Sequence, residues 1–129
     1  MTVIFRCDSS LEIGSGHVMR CLTLADILKN DAEILFLCRP HEGNLIFHIR
    51  KKGFLVRVLE KPTGISDSNL IHSEWLGATQ KQEIDQCLNL LRGEYFDWMI
   101  VDHYALDIVW QTAMNKYYKK LLVIDDLGD

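Results

Sequence analysis

The sequence predicts an α/β fold of one domain, a Rossmann-like parallel β-sheet with helices on both faces. Three observations carry that reading. Five short apolar runs recur along the 129 residues, stretches with helical spacing lie between them, and polar residues collect just after the runs. Strands alternating with helices imply parallel pairing through right-handed crossovers. In such sheets ligands bind beyond the carboxyl ends of the strands, at the point where the connections reverse direction.

Each element has its own signal. Val3-Ile4-Phe5 marks a strand over 2–7. Val18, Cys21, Leu22, Ala25 and Leu28 then fall at i, i+3, i+4, i+7 and i+10, one apolar helix face over 15–29, which Asn30-Asp31 ends. Ile34-Leu35-Phe36-Leu37-Cys38 is apolar at every position, as a strand covered on both faces is. After the loop Arg39-Pro40-His41-Glu42-Gly43, Asn44 suits the N-cap of a short helix over 45–52, Gly53 its stop, and 54–59 a third strand. Residues 60–74 are polar and aperiodic and read as a long loop. Ile84, Cys87, Leu88 and Leu91 define a helix over 79–91, and Trp98-Met99-Ile100-Val101 a fourth strand that runs into Asp102-His103-Tyr104. A helix over 106–118 leads to a fifth strand, 121–124, ending in Asp125-Asp126.

Composition excludes several partners. A net charge of −4 and the lack of basic runs interleaved with aromatics leave no footprint for nucleic acid. No apolar stretch approaches a membrane span and no signal pattern opens the chain, so a cytoplasmic location is expected. Cys7, Cys21, Cys38 and Cys87 are widely spaced in apolar segments, which predicts buried thiols rather than disulfides or zinc ligands. No metal site and no cofactor are expected.

The chemistry concentrates where the first strand hands over to the first helix, at Gly14-Ser15-Gly16-His17. Free backbone N–H groups and the helix dipole suit that turn to an anionic or oxygen-rich ligand. The same field disfavours a protonated imidazole, so His17 is expected to be mostly neutral and able to take a proton. The pattern argues against dinucleotide binding, because the third glycine position of Gly-x-Gly-x-x-Gly is Met19 and the second strand ends in Cys38-Arg39 rather than an acid.

The segment Arg6-x-Asp8-x-Ser10-x-x-Ile13-Gly14-x-Gly16-His17-Val18-Met19-Arg20-Cys21-Leu22-x-Leu24-Ala25 resembles the N-terminal signature of the PseG-like UDP-sugar hydrolases of pseudaminic acid biosynthesis. Those enzymes are the UDP-2,4-diacetamido-2,4,6-trideoxy-β-L-altropyranose hydrolases. Glu74-Trp75-Leu76-Gly77-x-x-Gln80, Asp97-Trp98-Met99-Ile100-Val101-Asp102-His103-Tyr104-x-Leu106-Asp107-x-x-Trp110 and Val123-Ile124-Asp125-Asp126-Leu127 match in the same order. Ala105 and Gln111 stand where the family pattern has glycine and glutamate.

The resemblance implies the N-terminal half of a two-domain architecture of the glycosyltransferase B type. In it water attacks the anomeric carbon of a UDP-linked deoxyamino sugar without a metal, and the histidine that maps onto His17 is the base. A nucleotide-binding C-terminal domain or chain is then the missing partner of this 1–129 domain. Asp8, Ser10, Gly14, Ser15, Gly16, Arg20, Asp102, His103 and Tyr104 become the candidate substrate-binding residues. Several keep a second reading. Asp8 orients His17, binds sugar hydroxyls or caps a turn; His103 meets substrate or is buried and hydrogen-bonded. Arg20 pairs with an acid or neutralises phosphate; Trp75 stacks on a sugar or fills the core; Asp125 and Asp126 shape a hinge. A paired-carboxylate glycosidase would need a separation that only coordinates give. Two function classes stand: a UDP-sugar hydrolase (or a glycosyltransferase half placing an acceptor in the same cleft), and a non-catalytic module that docks a nucleotide-binding chain.

Overall fold

In a computed structural model, which describes residues 1–11, 13–62 and 76–124, the five strands are β1 (Thr2–Cys7), β2 (Glu33–Cys38), β3 (Leu55–Val58), β4 (Phe96–Asp102) and β5 (Tyr118–Val123). Between them run α1 (Gly16–Leu28), α2 (Ile46–Lys51), α3 (Gln80–Leu90) and α4 (Ile108–Ala113). The strand order is β3-β2-β1-β4-β5, and every pairing is parallel. The Rossmann-like sheet is therefore as predicted. The order reverses between β1 and β4, so the crevice opens where Cys7 and Asp102 are register partners.

Side chains alternate across a strand, and the two cores divide accordingly. Val3, Phe5, Cys7, Phe36, Cys38 and Ile100 face α1 and α2, packing with Val18, Cys21, Ala25, Ile46 and Ile49. Ile4, Leu35, Leu37, Met99 and Val101 face the other way, onto Cys87 and Leu91 of the α3 segment and Trp110 of α4. All four cysteines are buried thiols, as the sequence predicted. Among the described residues no helix is long and apolar enough to cross a membrane.

Several boundaries differ from expectation by a residue or two, β4 starting at Phe96 rather than Trp98, and three differences bear on the reading. Leu45, not Asn44, is the N-cap of α2, although Asn44 Oδ1 still accepts from the Ile46 N–H at 3.0 Å. The helix expected over 106–118 stops at Ala113 and ends in a 3-10 turn, Asn115–Tyr117. β5 starts at Tyr118 rather than 121, because Tyr118-Lys119-Lys120 forms an exposed edge, where lysine replaces the apolar signal of a central strand. The acidic turn at 125–126, Trp75 and most of the loop at 60–74 lie outside the described residues.

Candidate active site

Helix α1 presents two polar side chains one turn apart toward the end of β4. His17 Nδ1 lies 2.5 Å from Asp102 Oδ1. Arg20 grips the same carboxylate with a fork, Nε donating to Oδ2 at 2.7 Å and Nη2 to Oδ1 at 2.8 Å. Asp102 is fully enclosed, and burial alone would raise its carboxyl; the bonds from His17 and Arg20 outweigh that and hold it below the ordinary range. A carboxylate only accepts, so Nδ1 carries the proton and donates. Nε2 is then the nitrogen that can take one. The Tyr104 ring meets the imidazole edge-on, centroids 4.6 Å apart, and fixes its tilt.

The turn before α1 is held from within. The Ser10 hydroxyl accepts from the Ile13 N–H at 2.8 Å, and the Ser10 carbonyl accepts from the Gly14 N–H at 2.9 Å. Gly14 needs its freedom for a φ of +81°. Gly16 has no such demand, and a methyl group added there would meet nothing within 4 Å. Gly14, Ser15 and Gly16 are all exposed, and Ser15 caps α1 without a side-chain bond. The first turn of the helix thus opens beside His17 with nothing among the described residues filling it.

A second polar cluster occupies the opposite face of the same sheet edge. Arg6 donates to both oxygens of Glu83, each at 2.8 Å, and to Asp8 Oδ1 at 2.7 Å. Arg39 Nη2 donates to Glu83 Oε1 at 2.6 Å, and its backbone N–H to Asp8 Oδ1 at 2.7 Å. His103 Nε2 at 2.9 Å and His41 Nε2 at 3.2 Å complete the shell on Asp8 Oδ2. His103 Nδ1 accepts from the Ala105 N–H at 3.1 Å, which fixes the proton on Nε2 and makes it the donor to Asp8. Burial holds the His103 ring below its usual titration range, against the pull of Asp8. Two arginines and two carboxylates leave the cage without net charge, as buried charges require.

Charge sets the protonation states there. For Glu83, burial pushes the carboxyl up, but the charge and bonds of Arg6, with Arg39, bring it down to about 2. Asp8 falls well below the carboxylate range for the same reason, Arg6 and the two histidines overcoming its desolvation. The segment after the loop closes the cage. Gly77 sits at φ +74°, and a Cβ there would lie 2.9 Å from His41 Cε1 and 3.1 Å from Arg39 Cδ. The Leu76-Gly77 part of the second motif therefore belongs to the scaffold: Leu76 is core and Gly77 is the lid on the cage.

The predicted residues thus separate. His17, Arg20, Asp102 and Tyr104 come together, with Ser10, Gly14, Ser15 and Gly16 in the adjoining turn. Asp8 and His103 do not join them. Asp8 takes four donors inside the cage, so the reading in which it orients His17 is corrected: Asp102 does that. His103 follows its buried, hydrogen-bonded reading. Asp97 and Asp107 of the third motif are also structural, Asp97 accepting from the Thr2 N–H at 2.8 Å and Asp107 capping α4 through the Val109 N–H at 2.9 Å. Sequence reasoning missed Glu83, whose signal was a charged residue four positions before Cys87 on the buried side of α3.

No protein-family model matches the chain. Over 108 residues it is 32% identical to the UDP-2,4-diacetamido-2,4,6-trideoxy-β-L-altropyranose hydrolase of Campylobacter jejuni, a match that takes in 84% of this chain. The chain spans 30% of the length of that relative. The likeness carried by the motifs therefore extends along most of the sequence.

Proposed function

We propose that this chain, a relative of the UDP-2,4-diacetamido-2,4,6-trideoxy-β-L-altropyranose hydrolases, is the N-terminal, base-bearing domain of a UDP-sugar hydrolase. The observation that carries the reading is the His17–Asp102 pair, 2.5 Å apart beside the exposed N-terminus of α1. Asp102 fixes the Nδ1–H tautomer, as the aspartate does for the histidine of a hydrolytic triad. His17 Nε2 accepts a proton from water as its oxygen bonds to the anomeric carbon. The bond from that carbon to the phosphate oxygen breaks, and UDP departs with the electron pair. The exposed N–H groups at Ser15 and Gly16 face the oxygen-rich ligand, while the Gly14 N–H is held by the Ser10 carbonyl. Base catalysis supplies about 10²–10⁴-fold, and positioning within the cleft supplies the rest.

The nucleotide itself is held by a C-terminal domain or chain of a glycosyltransferase B type architecture, a partner suggested by the share of the relative that this chain spans. No metal takes part in this reading, and a cytoplasmic setting suits a nucleotide sugar. The test is UDP release from UDP-2,4-diacetamido-2,4,6-trideoxy-β-L-altropyranose in ¹⁸O-water, by this chain alone and extended through a C-terminal domain. Release by the extended chain, with the label in the sugar and loss on His17→Gln, supports the proposal. Label in UDP refutes attack at carbon. No release by either form refutes the hydrolase reading for this sugar and favours acceptor binding or docking.

A further inference from the structure

Arg20 makes more than a passive contact with the site. Its fork occupies both oxygens of Asp102, including the oxygen that meets His17. Its Nη2 also lies 3.5 Å from His17 Nδ1, a donor facing a donor. Two effects follow from that placement. The guanidinium cancels the carboxylate charge that would otherwise stabilise an imidazolium, and it repels a second positive charge directly. The fork also fixes the plane of Asp102, and with it the direction of the Nδ1–H bond.

The other described groups bonded to or packed on His17 and Asp102 do not supply that charge. From β4 comes Asp102 itself, and from the residues just after it Tyr104, a neutral ring. From α1, Cys21 Sγ lies 4.0 Å from Asp102 Oδ2, and from β1 the register partner of Asp102 is Cys7, also a thiol. Among the described residues bonded to His17 or Asp102, Arg20 is the cation.

We infer that Arg20 is a positioning residue that keeps His17 a free base at working pH, by neutralising Asp102 and repelling an imidazolium. This rests on the proposed hydrolytic role of His17. Without that cation the buried carboxylate would favour the imidazolium more strongly. With Arg20 in place the carboxylate orients the ring without charging it.

The experiment compares the parent with Arg20→Gln and Arg20→Lys, reading the ¹⁵N shifts of His17 against pH in this chain, and the pH profile of kcat/KM in the form that releases UDP. For Arg20→Gln the ring stays protonated to higher pH and the acidic limb of the rate profile moves up by about one pH unit. That is the low end for a charge this close, because the Arg20 side chain is 37% exposed and screened. Arg20→Lys keeps the charge and leaves the limb near that of the parent, at a lower kcat. An unmoved limb with KM raised would overturn the inference and make Arg20 a phosphate ligand. An unmoved limb with rate lost equally at all pH would also overturn it, leaving a structural role alone. The ring titration reads the inference even if this sugar is not the substrate, so the two failures are distinguishable.

Discussion

Glu83→Gln is the most demanding test of the buried cage. The side chain keeps its shape and loses its charge, while Arg6 and Arg39 remain fully buried with three N–H groups aimed at it. The cage passes from neutral to one net positive charge, and an amide NH₂ comes to face a guanidinium. Removing one partner of a buried ion pair costs about 3–5 kcal/mol, a large part of the roughly 5–15 kcal/mol that holds a domain folded. The pH dependence gives a second estimate. Glu83 titrates at about 2 in the folded chain against an ordinary 4.5, so the unfolded chain binds more protons between those values. Its contribution is complete above pH 4.5 and is lost as pH falls through 2; at about 1.4 kcal/mol per unit it amounts to about 3 kcal/mol. The assay is urea unfolding followed by circular dichroism at several pH values. Glu83→Gln loses about 3–5 kcal/mol at neutral pH and flattens the acid dependence of stability. Glu94→Gln breaks the half-exposed Arg57–Glu94 pair and costs less than about 1 kcal/mol. A Glu83→Gln chain as stable as the parent would refute the reasoning, because it would mean that water already shields the cage.

The two glycines nearest the polar clusters separate scaffold from site. Gly77→Ala, strained at φ +74° and pressed against His41 and Arg39, loses at least about 1 kcal/mol by denaturant unfolding, whereas Gly16→Ala, with open space around it, changes stability by less than about 0.5 kcal/mol and lowers UDP release. Equal stability loss at both positions would show that the turn before α1 is packed after all. Asp102→Asn presents an amide to Nδ1, turns the imidazole toward the wrong tautomer and cuts kcat by about 10²-fold or more, with the protein still folded by circular dichroism. A kcat within a few-fold of the parent would remove Asp102 from the mechanism.

Much of the fold was written in the apolar runs, since strands buried on both faces and a helix with a regular apolar stripe leave little choice of element. β5 was harder to place, because an edge strand carrying Lys119 and Lys120 shows no alternation. The site was legible in its motif but not in its geometry. Asp8 and Asp102 both follow strands that end at the crevice, and nothing local in sequence says which one meets His17. The answer lies in parity. Arg6 and Asp8 share the side of β1 on which Ile4 packs toward α3, whereas Asp102 shares the side of β4 on which Ile100 packs toward α1. Counting by twos from the buried residues, given the strand order, would have paired each acid with its own base. Glu83 stayed hidden for another reason: a lone glutamate on a helix reads as solvated until a buried arginine from a strand is known to face it.

The end of β4 has a consequence of its own. Asp102 and His103 are joined by one peptide bond, yet the first serves the imidazole on α1 and the second the cage under α3. Neighbours in sequence work on opposite floors of the molecule, insulated by the thickness of the sheet. A substitution that retunes one floor therefore leaves the other in register, and each can drift separately. The arrangement has a single weak point shared by both. Adding or removing one residue within β4 would exchange the two addresses, handing the imidazole to the histidine and the aspartate to the arginines, so this strand tolerates changes of side chain far better than changes of length.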